Sequence, residues 1–241
     1  MINRTLFDHA PFLLLLILPL VGWKWSWPRH LAKLAADPDH ARIAYYRRLL
    51  VGEWIPTLVL LAVWAFLRRP WSALRLTGDS PLHLAFGFGY VLILVGVLVL
   101  QRRALLRRPD RRARVRKAMA FGVPLMPHTI PERRLFWAVS ATAGVCEEII
   151  FRGFLTWYLL AWMGPVMAVI VASIIFGAGH FYLGIAQVPK TAFIGFLFAL
   201  VVALTGSLWP AMLLHAAVDW NSGELGFKLL SLASSNKPPI A

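Results

Sequence analysis

Acidic residues are scarce in this 241-residue chain: 11 Asp and Glu stand against 25 Lys and Arg, and charged residues make up only 15% of the whole. A soluble domain carries about 25% charged residues. The shortage therefore excludes an ordinary water-soluble globule, and the apolar content of 59% excludes a disordered chain. Cysteine is nearly absent. The single Cys146 leaves no internal disulfide and no cysteine-rich zinc site. No internal repeat is visible, which argues against a transporter built from duplicated halves. The basic run at 102–117 has no interleaved aromatic residues on which bases could stack, so nucleic acid is not an expected partner.

What the chain has in abundance is long apolar runs. A membrane-spanning helix needs about 20 mostly apolar residues. Candidate spans lie at 10–26, 51–67, 82–100, 135–163, 165–183, 188–205 and 208–219. The expected fold is all-α, a polytopic transmembrane helix bundle of about seven spans, between six and eight. The first run reads as a span rather than a signal peptide, because Arg4 is offset by Asp8 and no small-x-small cleavage pattern precedes Lys24. A stretch at 225–233, interrupted by Lys228, reads as an interfacial helix or a poor eighth span. Pro165 and Pro210 sit where helices start, since a first-turn proline sacrifices no hydrogen bond.

The basic residues orient the chain. Six fall in 24–48, three in 68–75 and eleven in 102–134. With the N-terminus outside, the six and the eleven lie in the cytoplasm, as the excess of cytoplasmic Lys and Arg requires. The run from Arg102 to Lys117 then serves as a topology anchor that attracts anionic lipid head groups of the bilayer.

Beyond Arg134 the pattern changes. Between Leu135 and Trp220 the charged residues are Glu147, Glu148, Arg152, Lys190 and Asp219, and His180 and His215 join them. An ionisable group at bilayer depth costs about 2.5–3.5 kcal/mol on insertion scales, so by default it marks a functional site. Lys190 falls at a span end, and the acids marking the site are Glu147, Glu148 and Asp219. They come in three groups. In the first, Glu148 and Arg152 are four residues apart and about 40° around a helix, close enough to pair, whereas Glu147 lies about 140° from Arg152. Glu148 is thus held ionised, and Glu147, on another face, is free for proton transfer. In the second, Gly177 and Gly179 let a neighbouring helix approach and bring His180 near another span. In the third, His215 and Asp219 are one turn apart on one face, suited to metal ligation or to a carboxylate-oriented imidazole, and Asn221 lies about 120° away from His215. At 1.5 Å per residue Glu147 lies about 18 Å into its span and His215 much nearer the start of its own, so the groups do not fall at one depth by counting alone.

These residues, Glu147-Glu148-x-x-x-Arg152-Gly153, Phe176-x-x-x-His180 and His215-x-x-x-Asp219, occur in that order on successive apolar spans. In this respect the sequence resembles the CPBP family of CAAX proteases and bacteriocin-processing enzymes, also called the ABI family. The resemblance covers roughly 135–221. It implies an intramembrane endopeptidase in which Glu147 and His180 activate a water, His215 and Asp219 stabilise the oxyanion, and Glu148 and Arg152 support them. Family members carry Asn or Asp at the position of Asp219. A divalent metal such as zinc, held by His180, His215 and Asp219 with Glu147 as base, is the alternative chemistry. The implied substrate is a membrane protein or lipidated peptide, in a bacterial inner membrane. A non-catalytic scaffold or immunity protein and a proton-coupled transporter are the competing readings. The segment 237–241 has no cysteine, so the chain is not expected to be a prenylation substrate itself. The expected organisation is an N-terminal membrane region at 1–134 with three spans and basic cytoplasmic loops, a catalytic helix core at 135–221, and a tail at 222–241.

Overall fold

Helix starts follow the proline and capping signals in the sequence. The computed structural model describes residues 5–78 and 80–235, and both Arg4 and the segment 237–241 lie outside the described residues. Helix α1 spans Leu6–Ala36, opened by the Asp8 carboxylate accepting from the backbone N–H of Thr5 at 2.7 Å. It contains Pro11 and Pro19 and a wide π-helical stretch over Gly22–Ser26. Helix α2 (Pro38–Phe66) starts at a proline capped by Asp37, and α3 (Pro81–Leu106) and α4 (Pro109–Ala118) start at prolines too. Helix α5 runs through Ile130–Glu147, continues as π-helix over Glu148–Leu155, and ends in the turn Thr156–Leu159. Helices α6 (Pro165–Gly179), α7 (Val188–Thr205) and α8 (Leu208–Ser235) complete the fold. Among the described residues all regular structure is helical.

Four helical segments, Leu6–Ala36, His40–Phe66, Pro81–Leu106 and Ile185–Thr205, are long and apolar enough to cross a membrane, and Pro165–Gly179 is apolar but shorter. The candidate spans at 135–163 and 208–219 are not among the four, although both are helical. The reason is their polar content: α5 and α8 carry the buried Glu148, Arg152 and His215. Outward-facing residues of α1, α2, α3 and α7, such as Leu20, Val59, Ile93 and Leu204, remain exposed. Polar helices inside and apolar faces outside are what a lipid solvent demands.

Two boundaries differ from the sequence expectation. The last candidate span does not stop at Asp219: α8 absorbs the 225–233 stretch and continues to Ser235, so most of the expected tail is helix. The span at 165–183 ends as α-helix at Gly179, and the short turns Phe181–Leu183 and Ile185–Gln187 lead into α7.

Helix α5 is the hub. Its register against α8 is antiparallel, with Phe136 beside Gly223, Gly144 beside Met212 and Ala216, and Gly153 beside Leu208. A Cβ on Gly144 would lie 2.7 Å from the Met212 carbonyl and 2.8 Å from the Ala216 nitrogen, so only glycine permits this approach. Its register against α2 is parallel: Tyr46 meets Phe136, the Trp54 indole donates to Thr142 Oγ1 at 3.1 Å, and Trp64 meets Trp157. Helices α6 and α7 close in the same way at Gly177, where a Cβ would sit 2.6 Å from the Val188 carbonyl. Gly179 has open space around it and plays no such part. Helix α1 is tied at its start by Asp8, which pairs with Arg69, and the Arg69 guanidinium lies 5.1 Å from the Trp64 ring and 4.9 Å from the Trp157 ring.

Candidate active site

The antiparallel register explains how residues at unequal distances from their helix starts come together. Glu148 comes late in the chain's passage along α5 and His215 early in its passage along α8, so counting both from their starts misplaces them. His215 Nδ1 lies 2.8 Å from Glu148 Oε1. A carboxylate accepts, so Nδ1 carries the proton and donates. The same Oε1 accepts from Arg152 Nη1 at 2.9 Å, and Arg152 Nη2 donates to the Gly195 carbonyl at 2.9 Å. The guanidinium stacks 4.1 Å from the Phe176 ring, and the His215 ring stacks on Phe198 with centroids 4.7 Å apart. A Cβ on Gly195 would be 2.9 Å from Arg152 Nη2, so this glycine makes room for the guanidinium. The expected Glu148–Arg152 pair is present.

The carboxylate that orients His215 is Glu148, whereas Asp219 sits on the other side of the ring. His215 Nε2 faces Glu147 Oε2 at 3.8 Å and Asp219 Oδ2 at 3.7 Å. Both separations are too long for a hydrogen bond and match a gap that a water or a substrate oxygen bridges. The two neighbouring acids differ in exposure: the Glu148 side chain is 0% exposed and that of Glu147 20%. Glu148 is sealed behind His215, and Glu147 reaches open space.

That open space is a cavity of about 470 Å³ whose lining includes Glu53, Glu147, His180, Tyr45 and Tyr182. A narrower apolar cavity of about 260 Å³ adjoins it and shares Glu53 and Glu147 as lining residues. His180 Nδ1 lies 3.0 Å from the Phe176 carbonyl, which only accepts, so Nδ1–H donates and Nε2 keeps its lone pair. Helix α6 ends at Gly179, which leaves His180 just past its last turn, at the cavity wall.

Glu53 is a cavity-lining acid that the sequence reading misses. It lies on α2, level with the Trp54–Thr142 contact, and its Oε2 is buried without a hydrogen-bond partner. The signal was available: Glu53 is an acid inside the candidate span at 51–67. Asn221 Oδ1 is likewise buried without a partner. Asn221 is not among the residues lining either cavity.

The donors for a metal do not fit as they stand. Among the described residues no three of His, Cys, Asp and Glu are grouped so as to hold a metal ion. His180, His215 and Asp219 are therefore not gathered into a preformed site.

Fold and site together define a class: a helical membrane bundle whose polar inner helices hold a carboxylate–histidine cluster beside a cavity. Residues 131–221 match the family model described as type II CAAX prenyl endopeptidase Rce1-like, so this segment is similar to the CPBP family of CAAX-type intramembrane proteases. The matched segment contains Glu147, Glu148, Arg152, His180, His215 and Asp219, but not Glu53. No characterised protein and no solved structure matches the chain.

Proposed function

We propose that this protein is an intramembrane endopeptidase that hydrolyses a peptide bond of a membrane protein or lipidated peptide with a water activated by Glu147 and His180. The observation that carries this reading is the division of labour around the cavity: Glu147 and His180 line it, while Glu148, Arg152 and Gly195 form a hydrogen-bonded chain that fixes His215 behind it. Glu147 accepts a proton from the attacking water, and the Nε2 lone pair of His180 holds the water in line with the scissile carbonyl. His215, when doubly protonated, donates from both nitrogens, to Glu148 through Nδ1 and to the developing oxyanion through Nε2. A protonated Asp219 supplies a second donor on the same side. Donors fixed in advance at that position contribute about 3–4 kcal/mol each to the transition state.

The apolar cavity, walled by residues such as Leu14, Val59, Leu60 and Val63, suits an aliphatic or lipid chain leading to Glu147. The larger cavity, with Tyr45, Arg48 and Tyr182, suits the polar peptide. We place the N-terminus outside and the basic segments 24–48 and 102–134 on the cytoplasmic face of a bacterial inner membrane.

Purified protein reconstituted in vesicles is expected to cleave a quenched lipidated-peptide substrate. Glu147→Gln and His180→Ala should each lower kcat by about 10²–10⁴-fold with no change in melting temperature. Undiminished cleavage by Glu147→Gln would remove the endopeptidase reading.

A further inference from the structure

Peptide hydrolysis needs two proton movements, one from the attacking water and one to the departing nitrogen. Glu147 takes a proton from water, but the departing nitrogen must also gain one, since an amide anion is too poor a leaving group to depart unprotonated. Few cavity groups are placed to give it. The Nδ1 proton of His180 is committed to the Phe176 carbonyl and the Nδ1 proton of His215 to Glu148. Tyr45 and Tyr182 line the larger cavity but not the apolar one. Glu53 lines both, as Glu147 does, so these two acids lie on the wall that the cavities share.

We propose that Glu53 is the general acid of the reaction, delivering from the α2 wall of the cavity the proton that the departing amine requires. The proposal rests on the endopeptidase reading and adds to it a residue outside the segment 131–221 that carries the family match. Three observations support it. Glu53 Oε2 and Glu147 Oε2 are both buried without a hydrogen-bond partner, which leaves these two oxygens open to take or give a proton. No ion pair to Glu53 is found among the described residues, in contrast to Asp8, Glu132, Glu148 and Glu224, each of which has an arginine partner. The parallel register of α2 and α5 places Glu53, one residue before the Trp54–Thr142 contact, about one and a half helical turns short of Glu147, on the wall of the same two cavities. Two carboxyls that share one apolar cavity share a single proton more cheaply than they hold two charges. One is then a base and the other an acid at the same time.

The protons balance. Water adds to the carbonyl carbon and gives a proton to Glu147. The tetrahedral intermediate collapses, the C–N bond breaks, and Glu53 protonates the nitrogen, leaving Glu147 protonated and Glu53 ionised. Transfer of that proton from Glu147 to Glu53 across the cavity restores both for the next turnover.

The test compares two substrates of one sequence, one with a peptide bond and one with a thioester at the scissile position. A thiolate leaves without a proton, so only the peptide needs a general acid. Glu53→Gln is expected to lower kcat on the peptide by about 10²–10⁴-fold and on the thioester by less than about tenfold, while Glu147→Gln lowers both. Glu53→Asp, which keeps the acid on a shorter arm and guards against loss of folding in the Gln variant, should retain part of the peptide activity. Equal loss on both substrates in Glu53→Gln, or no loss on either, overturns the assignment. If wild-type protein cleaves neither substrate, the endopeptidase reading itself fails and the proposal falls with it.

Discussion

Glu147 and Glu148 are neighbours in the chain whose surroundings differ. Glu148 Oε1 receives both Arg152 and His215 in a fully buried setting, and Glu147 meets no cation closer than 3.8 Å. Breaking a buried pair from one side leaves an uncompensated charge and costs about 3–5 kcal/mol. Arg152→Ala is therefore expected to lower unfolding stability by about that amount, read by thermal or denaturant unfolding in detergent, and to release His215 from its orientation. Stability equal to wild type would show that Glu148 is not held as described. The i,i+4 spacing of Glu148 and Arg152 made their pairing legible from sequence, and so did the separation of Glu147 from Arg152. The bond from Glu148 to His215 was not legible, because it depends on the register between two helices 67 positions apart in the chain. Glu53 was obscured by a boundary. The apolar run begins at Val51, which makes Glu53 look like a span edge, but α2 starts at Pro38 and puts Glu53 well inside the helix.

At the scale of elements, the site depends on how closely α5 and α8 approach. Gly144 is the point of contact, and both atoms nearest to an added Cβ belong to the α8 backbone, which has no rotamer through which to yield. Gly144→Ala should push the helices apart by a few tenths of an ångström and cost about 1–3 kcal/mol in overpacking. It should also lengthen the Glu148–His215 bond and reduce cleavage. A melting curve and a cleavage assay on this variant check both halves, and a variant as stable and active as wild type would refute the close-contact role. The sequence reading identified small residues as helix-approach points, and Gly177 is one, but Gly179 faces open space. The small side chain marks where an approach is permitted; the neighbour's path decides whether it occurs. The π-helical stretch Glu148–Leu155 had no sequence signal that 3.6-residue periodicity could register, although it carries Arg152 and Gly153.

At the scale of the whole molecule, the apolar runs showed a helical membrane bundle. They did not show which helices would be wrapped by the others, because hydropathy treats each segment alone. The charge asymmetry supplies an orientation that labelling can test. Cys146 is fully buried, so an introduced cysteine reports without interference. Arg111→Cys should react with a membrane-impermeant thiol reagent only once the membrane is opened, and Ser72→Cys should react in intact spheroplasts. The reverse pattern would invert the topology.

Helix α1 walls both cavities through Leu15 and Leu18, but most of its side chains face outward and are exposed. It is fastened at its beginning, where Asp8 meets Arg69, and carries Pro11, Pro19 and the wide turns of Gly22–Ser26 further on. The outer face of α1 is therefore left for surrounding lipid to cover. Under the proposed function, this wall is where a bilayer-anchored substrate would approach Glu147 from the side.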